Sequence, residues 1–105
     1  MSDTPPDAHQ SFAAAFPGLA RAWDEARTAE VVGPLDEQTR RLIKLAIAVG
    51  AQKTGATRSA ARKARRAGVS REAMAQVVAL AATTVGFPGA VAAHGWITDA
   101  LGDKE

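Results

Sequence analysis

The sequence predicts an all-α protein, a compact bundle of five to six helices that assembles with copies of itself. Three observations carry that prediction. Alanine fills about a quarter of the 105 residues; it has the highest helix propensity, and its small side chain lets helices approach closely. Apolar residues recur at three- and four-residue steps instead of alternating. Gly and Pro fall between the periodic stretches, where helices stop and start.

Residues 1–10 are polar and carry Pro5 and Pro6, so they read as a flexible tail ahead of a single domain over 11–102. From Ser11, the positions Phe12, Ala15, Phe16, Leu19, Trp23 and Ala26 follow helical spacing. Pro17-Gly18 divides that stretch into a short piece and a helix over 17–28, with Pro17 in the first turn, where a missing N–H costs nothing. Val31 to Pro34 is a linker. A second long helix is expected over 36–51, with Asp36 and Glu37 at its positive end. Its apolar residues (Leu42, Ile43, Leu45, Ala46, Ile47, Val49) cover most of the circumference and predict a centrally buried helix. Thr54-Gly55 separates it from a helix over 56–67, whose narrow face is Ala56, Ala60, Ala64 and Ala67, with Ala61 beside it. Gly68 is placed just past its end. Ser70 caps the next helix, which runs through Val85 and turns Met74, Val77, Val78, Leu80 and Ala81 inward. Pro88 opens a last helix through Leu101, ended by Gly102.

Composition closes several functional classes. With no cysteine in the chain, disulfides, thiolate nucleophiles, iron–sulfur clusters and Cys-based zinc sites are excluded. His9 and His94 are the only histidines, so no metal cluster and no metal cofactor is expected. The longest apolar run, Leu42 to Gly50, is broken by Lys44 and falls far short of the roughly 20 residues of a membrane span. No apolar signal segment is visible near Met1, and a cytoplasmic protein is expected. A chain this short buries only about two-thirds of its unfolded surface. Phe12, Phe16, Trp23, Phe87 and Trp96, spread over the first and last helices, offer more apolar face than one small core covers, which points to self-association.

The net charge of +2 hides an asymmetry: from Gln38 to Arg71 there are ten Lys or Arg and no Asp or Glu. Such a segment suits an anion, whether phosphate, nucleic acid or a small carboxylate. A solvated face paired with the acidic 24–37 segment is the plainer reading. Ala64-Arg65-Arg66-Ala67-Gly68-Val69-Ser70, followed by Met74 and Val77, is similar to a helix-turn-helix corner, so a nucleic-acid-binding module using basic residues 53–71 is the alternative function. Its second helix offers only Arg71 and Gln76 as early base-reading residues. Any tight helix–Gly–helix corner has the same spacing.

Over Phe16 to Leu101 the chain more closely resembles the carboxymuconolactone decarboxylase family, which includes the alkyl hydroperoxide reductase D-type proteins. The stretches that carry this are Phe16-Pro17-Gly18-Leu19, Gly33 through Ile43, Ala64 through Glu72, and Gly86-Phe87-Pro88-Gly89-Ala90. The resemblance implies an all-α fold and a homo-trimer or hexamer. It also implies a site. The redox branch carries a Glu, a Cys-x-x-Cys pair and a His; the matching positions here hold Arg41, Lys53, Ala56 and Ala60. Thiol exchange needs an attacking and a resolving thiol, so a peroxidase or disulfide reductase of that kind is excluded. The decarboxylase branch works without a cofactor on an anionic lactone acid, which needs a cationic anchor and a proton donor. Arg41, Lys44 and Arg58 are the candidate anchors for a small carboxylate ligand, since a guanidinium grips a carboxylate bidentately. His94, the one histidine inside the folded segment, is the candidate proton donor. Ion pairs of the arginines with Asp24, Glu25 or Glu37 are the plainer alternative, as is a core or interface position for Trp96.

Overall fold

In the computed structural model, residues 8–102 are described, and they form six helices and no strand. The chain divides into two compact units, one through Pro34 and one from Leu35 onward.

The first unit holds α1 (Ala8–Ala15) and α2 (Pro17–Ala29). Helix α1 begins inside the segment expected to be a tail; residues 1–7 of that segment lie outside the described part. Phe16 is the N-cap of α2 and Pro17 its first residue, where proline's fixed φ suits a helix start. The rings of Phe12 and Phe16 meet with centroids 5.0 Å apart and planes inclined by 40°. Neither helix buries a residue, and Phe12, Phe16, Leu19 and Trp23 are all more than half exposed.

The second unit holds α3 (Glu37–Gly50), α4 (Thr54–Arg66), α5 (Arg71–Val85) and α6 (Phe87–Leu101). Helix α3 packs on α4 and α5, and α6 packs on the same two, so the four make a closed ring in the order α3, α4, α6, α5. The caps follow from the sequence. The Asp36 carboxylate accepts from the Thr39 N–H at 2.9 Å, and the Ser70 hydroxyl accepts from the Ala73 N–H at 3.0 Å, each satisfying a donor left over in a first turn. The end of α4 is a Schellman turn. Gly68 sits at φ +94°, its N–H donates to the Arg65 carbonyl, and the Val69 N–H donates to the Ala64 carbonyl, both at 3.0 Å. Two glutamines brace opposite ends of the ring. Gln38 Nε2 donates to the Ala67 carbonyl at 2.9 Å. Gln52, in the left-handed region at φ +55°, donates to the Val49 and Gly89 carbonyls at 3.0 and 3.3 Å.

The core is built from Leu45 and Val49 of α3, Ala61 and Ala64 of α4, Met74 and Val78 of α5, and Ala93 and Ile97 of α6. Trp96 packs against it, half-buried. Three expectations need correction. Helix α3 is not buried all round: two neighbours cover one side, and Ile43 and Ile47 are 42% and 62% exposed on the other. Helix α4 starts two residues earlier than expected, and it is rotated so that its inward face is Thr57, Ala61 and Ala64, with Ala60 half-buried and Ala56 exposed. On α5, Leu80 points outward at 69% exposure while Met74 and Val78 fill the core.

Candidate functional site

The candidate cations occupy α3 and α4. Arg41 is half-buried and faces Glu37, one turn earlier on α3, across 3.9 Å. Lys44 is exposed on the same helix. Arg58, on α4, faces Asp99 of α6 across 3.7 Å, and its Nε is buried with no hydrogen-bond partner among the described residues. Both contacts lie beyond hydrogen-bond length, and the acids are 58% and 70% exposed. Pairs of this kind contribute at most about 1 kcal/mol, because water screens them and ordering two long side chains costs entropy. Arg41 therefore has the plainer Glu37 partner expected for it, while the partner of Arg58 is Asp99 and not an acid of the 24–37 segment.

The positions matching the thiol site of the redox branch lie on the same two helices. Lys53 is the N-cap of α4, Ala56 is exposed in its first turn, and Ala60 is half-buried against the core. None of these side chains can act as a nucleophile toward a peroxide or a disulfide at neutral pH.

His94 is placed differently. It is exposed on α6, over a half-open depression of about 260 Å³ between α5 and α6. Arg71, Glu72 and Ala75 line it from α5, and His94, Ile97, Thr98 and Leu101 from α6. Its wall includes none of Arg41, Lys44 or Arg58. An imidazole, a guanidinium and a carboxylate, from His94, Arg71 and Glu72, thus rim an apolar floor.

Arg71 has a role that the sequence reading did not assign. From the first residue of α5 it reaches the far end of α6, where its guanidinium donates to the carbonyls of Leu101 at 3.1 Å and Gly102 at 2.8 Å. A cation there satisfies carbonyls that the helix itself leaves unbonded and lies at the negative end of its dipole. Arg65 does the same locally, donating to the Val69 carbonyl at 3.3 Å. The signal was faint: an arginine just after a serine cap looks like solvent-facing charge unless the antiparallel packing of α5 and α6 is known. These uses take Arg65 and Arg71 out of a freely presented basic surface. Helices α4 and α5 are also not among the pairs that pack extensively, so the geometry gives no support to a helix-turn-helix reader.

Among the described residues, no group of three or more His, Asp or Glu could hold a metal ion, and no helix is long and apolar enough to cross a membrane. A family model described as the carboxymuconolactone decarboxylase family matches residues 17–99. No curated protein and no solved structure matches the chain.

Proposed function

Because the chain belongs to the carboxymuconolactone decarboxylase family and has no cysteine, we propose that it is a non-redox member that binds a small organic anion. The observation that carries this is the state of Arg41 and Arg58. Among the described residues, each faces a loose intrachain carboxylate, at 3.9 and 3.7 Å. A ligand carboxylate making a bidentate contact near 2.8 Å gains more than that acid supplies, so exchange is favourable. Lys44 adds charge on the same helix.

Binding without turnover fits best, because His94 borders a depression that holds none of these cations. Any turnover would be a cofactor-independent decarboxylation, with His94 returning a proton to the carbon that loses the carboxylate. The protein works as a homo-oligomer in the cytoplasm, the exposed apolar faces of both units being covered by other copies.

Calorimetric titration with small mono-, di- and tricarboxylates tests the reading. Saturable binding is expected, weakened about tenfold by Arg41→Ala or Arg58→Ala. No saturation up to about 10 mM with any acid, or binding indifferent to both substitutions, would refute it.

A further inference from the structure

The outer face of α6 carries four exposed residues at Phe87, Val91, His94 and Thr98. Their spacing of four, three and four is that of a coiled-coil seam, which keeps side chains on one line of a helix facing a partner helix. Phe87 is 75% exposed and Val91 55%, a large apolar area at one end of the line. The depression beside His94 and Thr98 lies at the other end.

We propose that this face is a two-fold interface with a second copy of the chain, in which Phe87 of each protomer fills the α5–α6 depression of the other. The occupant follows from the stripe itself. Its spacing reads the same from either end. An antiparallel copy of α6, crossing midway between Val91 and His94, therefore sets Val91 against the partner's His94 and Phe87 against the partner's Thr98. Both knobs meet both depressions at once, as an isologous contact requires. Size agrees: a cavity of about 150 Å³ accepts benzene, and the depression offers about 260 Å³ with Ala75, Ile97 and Leu101 as its apolar lining. On the α5 side, Ala75 and Ala79 are exposed one turn apart, so a second helix can come close beside them, with Glu72 at the edge of the depression. His94 then lies at the closed mouth of a composite pocket, with a partner's ring as one wall.

The inference rests on the self-association stated above and narrows it. A two-fold contact cannot form within a lone cyclic trimer, so it selects an even number of subunits, and a hexamer where a three-fold contact is also present. Light scattering coupled to size exclusion gives the subunit number. An even assembly is expected, with its mass halved by Phe87→Glu and by Val91→Glu while far-UV circular dichroism stays helical. Phe87→Ser serves if the charged variants do not fold. The cysteine-free background permits a second test that leaves Phe87 in place. Val91→Cys protein mixed with His94→Cys protein under a mild oxidant should give a covalent dimer at least about tenfold faster than a control pairing with Ala56→Cys, since thiols join only where the backbones approach closely. A monomeric wild type overturns both this proposal and the self-association behind it. An odd-numbered assembly, a mass indifferent to all three substitutions, or cross-linking no faster than the control overturns the α6 interface alone.

Discussion

Thr57 offers the sharpest test of how the core of the second unit is balanced. Its side chain is 0% exposed, and its hydroxyl has no hydrogen-bond partner among the described residues. Burying such a group unbonded costs about 1–3 kcal/mol. Valine has nearly the same shape, the same β-branch and a similar helix propensity. Thr57→Val therefore removes the polar atom and little else, and should raise the unfolding free energy by about 1–2 kcal/mol. For a unit of about 70 residues each kcal/mol moves Tm by roughly 4–8 °C, so a rise of about 4–16 °C is expected. Thr57→Ser keeps the hydroxyl and deletes a buried methyl, and should lose about 1 kcal/mol. Thr57→Ala deletes both and gains helix propensity, which places it near the wild type. Urea unfolding at one fixed protein concentration gives the order, because the proposed self-association would make apparent stability depend on concentration. If Thr57→Val is less stable than wild type by more than about 0.5 kcal/mol, the hydroxyl has a bonding role and the reasoning fails.

Three further predictions concern the ends of helices. Gly68→Ala puts a Cβ at φ +94° and 2.8 Å from Gln38 Nε2; a loss of about 1–3 kcal/mol in chemical denaturation is expected, and a neutral result would mean the Schellman turn relaxes freely. Arg71→Met removes the donors to Leu101 and Gly102 and should cost about 1–2 kcal/mol, with faster amide exchange confined to the last turn of α6. Uniform exchange along α6 would argue against that local role. The Asp36 carboxyl is held below its ordinary 3.8 by the Thr39 N–H first, then the Thr39 hydroxyl, with Arg40 adding a smaller pull. A depressed folded value means this contribution is complete above the unfolded value and is lost as pH falls through the folded one. Stability measured from pH 5 downward should therefore fall less in Asp36→Asn than in wild type, and parallel profiles would count against it.

The helix ends were legible because each is a local event. Ser70, Gly68 and Gly102 act within one turn of chain, and the structure uses each at the position its sequence suggested; Asp36 lies one residue outside the helix expected to hold it, as its cap. Inward faces were less legible, since they depend on which neighbours a helix has. Ile43 and Ile47 satisfy every criterion for a core helix, yet within its unit α3 packs on α4 and α5 from one side, and these two residues lie on the other. On α4 the buried set is Thr57, Ala61 and Ala64 in place of Ala56, Ala60 and Ala64, a rotation of about one residue that spacing alone cannot detect among so many alanines. At the candidate site, the exclusion of thiol chemistry needed only the composition. The Arg58–Asp99 contact and the reach of Arg71 to α6 join residues some 40 and 30 positions apart, and no periodicity encodes them.

The bracing by Gln38 and Arg71 also fixes where force would enter the second unit. Gln38 ties the start of α3 to the end of α4, and Arg71 ties the start of α5 to the end of α6. With Ala67 and Arg71 joined by a short turn, the entry and exit of the chain lie at the same end of the ring. Tension between those two points runs across the helices and not along them. Pulled in an optical trap, the unit should unzip, shedding its packing a row at a time at low force. The Gln52 bracket at the far end would be the last contact to yield.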